Sequence, residues 1–263
     1  MTLIRAWRLS AALLVTVLGG EAVAQQNDVP ALLQRITDPD VQVRRDAAHQ
    51  IAGAPSFPLA AHDRQIFAAL NDQDAEVRAW IASAIMDQMA TNPDFSQTLL
   101  RNQRAVLNIL SDSDDVVREL AVKIVFFIRP GPPSEFLGPL TKLLSDPKGP
   151  IRRSALAVLA QTRPFPPQVR LAFLDLIARD SDLKAFAIHA LNAAGISDSE
   201  TMDVLERALH DQNSLVKQEA IKGLARIGHP ASKYLDALRA LAADPNSDAI
   251  VKDLAQRAIK AIE

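Results

Sequence analysis

The chain has 263 residues, 48% of them hydrophobic and only 5% aromatic. It is too apolar to be disordered and too long for one compact helical core, but an array of repeated units can have this length. A formal charge of −2 gives no cationic excess to draw it to nucleic acid or anionic lipid, and with no cysteine it has no disulfides, thiolate chemistry or lipoprotein attachment site.

Residues 1–24 read as an export signal. Arg5 and Arg8 form a positive n-region, and Leu9 to Gly20 (LSAALLVTVLGG) is an apolar run. The run falls short of the ~20 residues of a membrane span and is broken by Gly19 and Gly20, although an uncleaved anchor is the alternative. Ala22-Val23-Ala24 fits a small-x-small cleavage site, which makes Gln25 the expected new N-terminus. The expected location is periplasmic or secreted, with no stable membrane insertion once the signal is removed. A cysteine-free exported protein suits a bacterial periplasm.

From Asp28 and Pro30 onward, helical hairpins follow one another. The first has Leu32, Leu33 and Ile36, a turn at Thr37 to Asp40, then Val43, Ala47 and Ile51 at i, i+4 and i+8. The second runs from Ile66 through Leu70 and resumes at Val77. The third has Val106, Leu107 and Leu110, then Val117 to Phe127. The fourth follows the proline-rich RPGPPSEFLGP and has Leu140, Leu143 and Leu144, then Ile151, Ala155 and Leu159. The fifth follows RPFPP, with Leu171, Leu174 and Ile177 as the stripe of its first helix and Leu183, Ala187 and Leu191 in its second. Leu205, Leu209, Val216, Ala220 and Leu224 make the sixth; Leu238, Leu241, Val251, Ala255 and Ile259 make the seventh. The expected fold is an all-α solenoid of about seven hairpins over residues 25–263. Their approximate bounds are 30–53, 64–90, 98–128, 137–161, 168–194, 200–228 and 234–263.

One phrase recurs along the row of second helices: DPDVQVRRDAAHQI from Asp38, DQDAEVRAWIASAI from Asp72, DSDDVVRELAVKIV from Asp112, DPKGPIRRSALAVL from Asp146 and DQNSLVKQEAIKGL from Asp211, with the turn shortened in the fifth unit and lengthened in the seventh. The apolar residues opening these helices are spaced 32 to 40 apart. A single unit cannot bury its own faces, so neighbours must stack. A small residue in mid-helix (Ala47, Ala121, Ala155, Ala187, Ala220, Ala255) permits close approach, and Ile81 takes that place in the second unit.

This phrase resembles the HEAT-repeat family, in particular the short bacterial form also seen in phycobilisome-lyase-like proteins. The resemblance covers Ala31 to Ile262 and implies a right-handed superhelix. It also implies that Asp38, Asp72, Asp112 and Asp146 form a structural ladder with Arg44, Arg78, Arg118 and Arg152, in their own or neighbouring units. Units five to seven put Lys184, Lys217 and Lys252 in the basic position. A repeated Asp and Arg could also be read as acid/base pairs, but a ladder needs one of each per unit and chemistry does not.

No catalytic constellation stands out. There is no phosphate loop, no GxSxG and no HExxH, and His49, His62, His189, His210 and His229 lie apart from any ligand set. Neither cofactor nor metal is expected. The resemblance implies that second helices line a concave face. There the residues three after each opening apolar residue are Asp46, Trp80, Leu120, Ser154, Phe186, Glu219 and Leu254. Trp80, Leu120 and Phe186 are the candidate partner-binding residues, with sideways packing against neighbouring helices as the alternative; Phe126 and Phe127 read as packing residues. The lining columns are nearly neutral, which argues against a nucleic-acid partner. The expected function is an exported, non-enzymatic scaffold for a protein or peptide, as a monomer or part of a hetero-complex. The alternative is a HEAT-type lyase, or an enzyme subunit acting on a protein-bound cofactor.

Overall fold

The computed structural model describes residues 29–179 and 182–263, so the signal expected at 1–24 lies outside the described residues. Every regular element among the described residues is helical. The chain divides into two compact units, one ending at Ala84 and the other comprising Ile85–Glu263.

In the first unit, α1 (Val29–Arg35) packs on α2 (Val41–Ala52). Leu32, Leu33 and Ile36 are buried, as are Ala47, Ala48 and Ile51, because these positions recur on one helical face. A short 3-10 turn (Leu59–His62) leads into α3 (Asp63–Ala69), which buries Ile66 and Phe67. The first part of α4 (Ala75–Thr91) adds Val77, Ile81 and Ala82. Ile81 is as completely buried as the alanines that hold its place in other hairpins.

The second unit takes the end of α4, then α5 (Phe95–Arg101), α6 (Gln103–Ile109) and α7 (Asp115–Phe126). Two short helices stand where one first helix is expected. They meet at Asn102, whose Nδ2 donates to the Thr98 carbonyl at 2.9 Å. Four hairpins follow: α8 (Ser134–Leu143) with α9 (Gly149–Ala160), α10 (Pro167–Arg179) with α11 (Lys184–Ala193), α12 (Ser199–Leu209) with α13 (Ser214–Ile227), and α14 (Leu235–Ala243) with α15 (Ala249–Ile262). Second helices pack on second helices in the order α7, α9, α11, α13, α15. First helices do the same from α8 to α14. Ala121, Ala155, Ala187, Ala220 and Ala255 are fully buried between them.

The stripe of α10 differs from expectation. Leu171 is 52% exposed, whereas Val169, Phe173, Leu176 and Ile177 are buried. Positions 169, 173, 176 and 177 share a face at i, i+4, i+7 and i+8, and Leu171 stands about 200° from Val169 at 100° per residue. Helix α12 begins at Asp198, whose carboxylate accepts from Thr201 N at 2.9 Å. The Thr201 hydroxyl, fully buried behind it, has no hydrogen-bond partner among the described residues. Burying an unpaired hydroxyl costs on the order of 1–3 kcal/mol. Thr201→Val is therefore expected to raise the thermal unfolding midpoint, and a lower midpoint would show that a bound water satisfies the hydroxyl.

Candidate partner-binding site

The repeated turn uses its charges in two separate ways. Its first aspartate receives the basic residue of the preceding hairpin. Arg44 Nε and Nη2 donate to the two oxygens of Asp72 at 2.7 and 3.1 Å, and Arg118 does the same to Asp146 at 2.7 and 3.3 Å. The remaining nitrogen turns back on its own turn: Arg44 Nη1 to the carbonyls of Asp38 and Pro39, Arg118 Nη1 to those of Asp112 and Ser113. Arg78 Nη1 likewise donates to the Asp72 and Gln73 carbonyls, and Arg152 Nη1 to those of Asp146 and Pro147. Lys184 reaches Asp211 at 2.7 Å, which carries the same pairing to residues outside the expected set. The first aspartate also closes its own turn: Asp38 accepts from Asp40 N at 2.8 Å and Asp72 from Asp74 N at 2.8 Å.

The second aspartate caps the helix that follows. Asp40 accepts from Gln42 N at 2.8 Å, and Asp114 from Val116 N and Val117 N at 2.9 and 3.1 Å. Such a cap stabilises a helix by about 1 kcal/mol. The spelling Asp-x-Asp already carried this signal, since a helix start favours Asp at its N-cap.

These contacts move proton affinities. The Arg45 guanidinium, bonded at 2.6 and 3.0 Å, is the main reason Asp74 stays below the ordinary carboxylate range. Lys148 does the same for Asp115. Burial pushes Asp211 up, but the bonds from Lys184 and Asn213 N outweigh it and leave it lowered. A carboxylate lowered in the fold contributes stability that is complete above the unfolded value of about 4 and is lost as pH falls through the folded value. The thermal midpoint is therefore expected to drop as pH falls below about 4. Asp74→Asn keeps a helix cap and loses the charge, so its acid limb should be shallower. An unchanged limb would remove Asp74 from this account.

The partner-binding candidates are placed as follows. In the first unit, Trp80 is half-buried and meets His49 edge-on, with ring centroids 4.6 Å apart. In the second unit, Leu120 is half-buried and Phe186 is 55% exposed. Neither Leu120 nor Phe186 lines the groove found in that unit, an open trough of about 430 Å³. Three second helices wall it: Met86 and Ala90 on α4, Val122 and Phe126 on α7 with Phe127 at its end, and Ser154 and Ala157 on α9. Lys123 supplies the charge and is held by Glu119 at 2.7 Å. Phe126 and Phe127, expected to be packing residues, are half-buried and meet at 85°, centroids 5.6 Å apart. The reason is angular. Val117, Ala121, Ile124 and Val125 take the buried face of α7, so the next two residues must swing off it. The same periodicity was readable in the sequence. Small side chains at 154 and 157 leave the space into which Met86 and Phe126 open.

Three comparisons bear on this architecture. Residues 171–260 match a family model described as HEAT repeats. A comparison with curated proteins finds no match. Among solved structures, an engineered protein is 21% identical with a TM-score of 0.60, covering 89% of this chain and 68% of its own. A structure from work on a phosphorylation switch between cadherin and β-catenin is 13% identical with a TM-score of 0.58, covering 89% of this chain and 52% of its own. A designed armadillo repeat protein for modular peptide recognition is 22% identical with a TM-score of 0.48, covering 90% of this chain and 100% of its own. At these identities the first two likenesses speak to fold alone. Residues 171–260 are thus similar to HEAT repeats, and the fold of the described residues is an all-α stack of helical hairpins.

Proposed function

We propose that the protein is an exported, non-enzymatic scaffold that takes a protein or peptide partner on the second-helix row of its second unit. The observation that carries this reading is the groove walled by Met86, Phe126, Phe127, Ser154 and Ala157. Aromatic and thioether side chains around a trough are suited to anchoring bulky residues of a segment laid across them. The one titratable side chain in the lining is Lys123, bound to Glu119. An acid–base reaction would need a second such group facing it. Export is supported by Arg5, Arg8, the apolar run from Leu9 and the Ala22-Val23-Ala24 pattern.

A photo-reactive amino acid in place of Ala157, in cells, is expected to give a discrete protein adduct that the same group in place of exposed Asp253 does not. Ser154→Leu, which fills the trough, should abolish it. The reading fails if no adduct forms or if Ser154→Leu leaves it unchanged. The mass of the purified protein should place its N-terminus at Gln25, and an intact Met1 would end the cleaved-export part.

A further inference from the structure

The margin of the groove is charged, and unevenly so. On α9, Arg153 precedes Ser154 and lies one turn before Ala157, which places it at the edge of the trough-facing side, beside the lining residues rather than among them. It is exposed and has no ion pair among the described residues. At the end of α7, the Arg129 guanidinium carbon lies 5.9 Å from the Phe126 ring centroid. One of its nitrogens donates to the carbonyls of Phe126 and Ile128, at 2.7 and 3.3 Å. Arg129 also has no carboxylate partner among the described residues, so its charge is not neutralised. Lys123 is the third cation. Its carboxylate partner is Glu119, and a second acid, Asp87, stands beside Met86 on α4 with contacts of its own. The whole chain is net acidic, so three cations against one bound acid on the α7–α9 side are not a sample of the average surface.

Resting on the proposed groove, we infer that its occupant is an acidic peptide segment: bulky apolar side chains enter between Phe126 and Ala157, and carboxylates on either side face Arg153 and Arg129. An arginine on the rim of an apolar site is well suited to this, because its charge is fixed and its planar fork matches a carboxylate. Rim charges of this kind act on partner choice and encounter rate more than on total affinity.

The test uses the mature protein and three fluorescent synthetic peptides: Leu and Phe anchors spaced by Glu, the same anchors spaced by Lys, and the Glu peptide with Ala in place of its anchors. Anisotropy titration is expected to rank the anchored Glu peptide first, with the Lys peptide about tenfold or more weaker and the anchorless peptide without measurable binding. Arg153→Glu should weaken the anchored Glu peptide by about three- to tenfold and strengthen the Lys peptide. Because Arg153 is exposed and unpaired, this variant should keep the parental circular dichroism spectrum and melting temperature. If the Lys peptide binds as tightly as the Glu peptide, or Arg153→Glu changes neither, the acidic partner is excluded and the groove reading survives. If neither anchored peptide binds, both fall. Equal binding by the anchorless peptide would place the contact on surface charge and overturn the inference.

Discussion

Arg118→Ala is expected to lower stability by about 3 kcal/mol, and Arg153→Ala by less than about 0.5 kcal/mol, although the two arginines sit on successive second helices at adjacent positions of the repeat. The contrast follows from what each side chain holds. Arg118 is 11% exposed and binds both oxygens of Asp146, which is 4% exposed, while it also satisfies two carbonyls of its own turn. The paired carboxylate raises the proton affinity of Arg118, so the cation is more firmly charged than usual. Removing the guanidinium leaves a buried carboxylate whose other bond among the described residues comes from the Lys148 N–H. Truncating one side of a well-buried pair costs about 3–5 kcal/mol, and the residual wetting here puts the value at the low end. Arg153 lies in solvent without an ion pair among the described residues. Thermal and urea unfolding of both variants would decide the matter, and equal shifts would remove the ladder as a stabilising device.

Gly223→Ala should cost about 2 kcal/mol, against the direction of helix propensity. Inside α13, glycine costs about 1 kcal/mol relative to alanine. A methyl there would overlap the Asn192 side-chain oxygen and come within 2.9 Å of Leu205 Cδ1. Leu205 is itself fully buried, which limits how far its Cδ1 can give way. Asn192 is 9% exposed and donates from Nδ2 to the Glu219 carbonyl at 2.8 Å, so it cannot move without leaving buried polar atoms unpaired. Overpacking and a lost buried hydrogen bond each cost about 1–3 kcal/mol, which outweighs the propensity gain. The discriminating variant is Asn192→Ala combined with Gly223→Ala. The double substitution should cost less than the sum of the two singles, because Asn192→Ala removes the obstruction. Strict additivity would mean the methyl strikes something else.

These two sites show how differently sequence and packing reveal themselves. The hairpins were legible because Val117, Ala121 and Val125 recur at helical spacing and the acidic turn recurs with them. The Arg118 pairing was legible as a type, through the family resemblance. The sequence could not say which aspartate was the partner, because own-turn and next-turn acids are spelled alike. Gly223 gave no signal, since its reason is a contact with a residue on another helix. The groove lay between these cases. Phe126 and Phe127 stand visibly off the buried stripe of α7, but the space they border exists only because Ser154 and Ala157, on the next second helix, are small.

The change from arginine to lysine along the repeat also has a dynamic consequence. Arg118 grips Asp146 with a two-pronged bond and its own turn with the third nitrogen, whereas Lys184 reaches Asp211 through one ammonium. The hairpins of α11 and α13 are therefore joined, at this position, by a contact that swivels rather than one that fixes orientation. Transient separation of neighbouring hairpins should be easier there, so backbone amides of the last hairpins should exchange with deuterated solvent sooner than those of α7 and α9. Local opening would then proceed from one end, like a seam that has been stitched more loosely toward its hem.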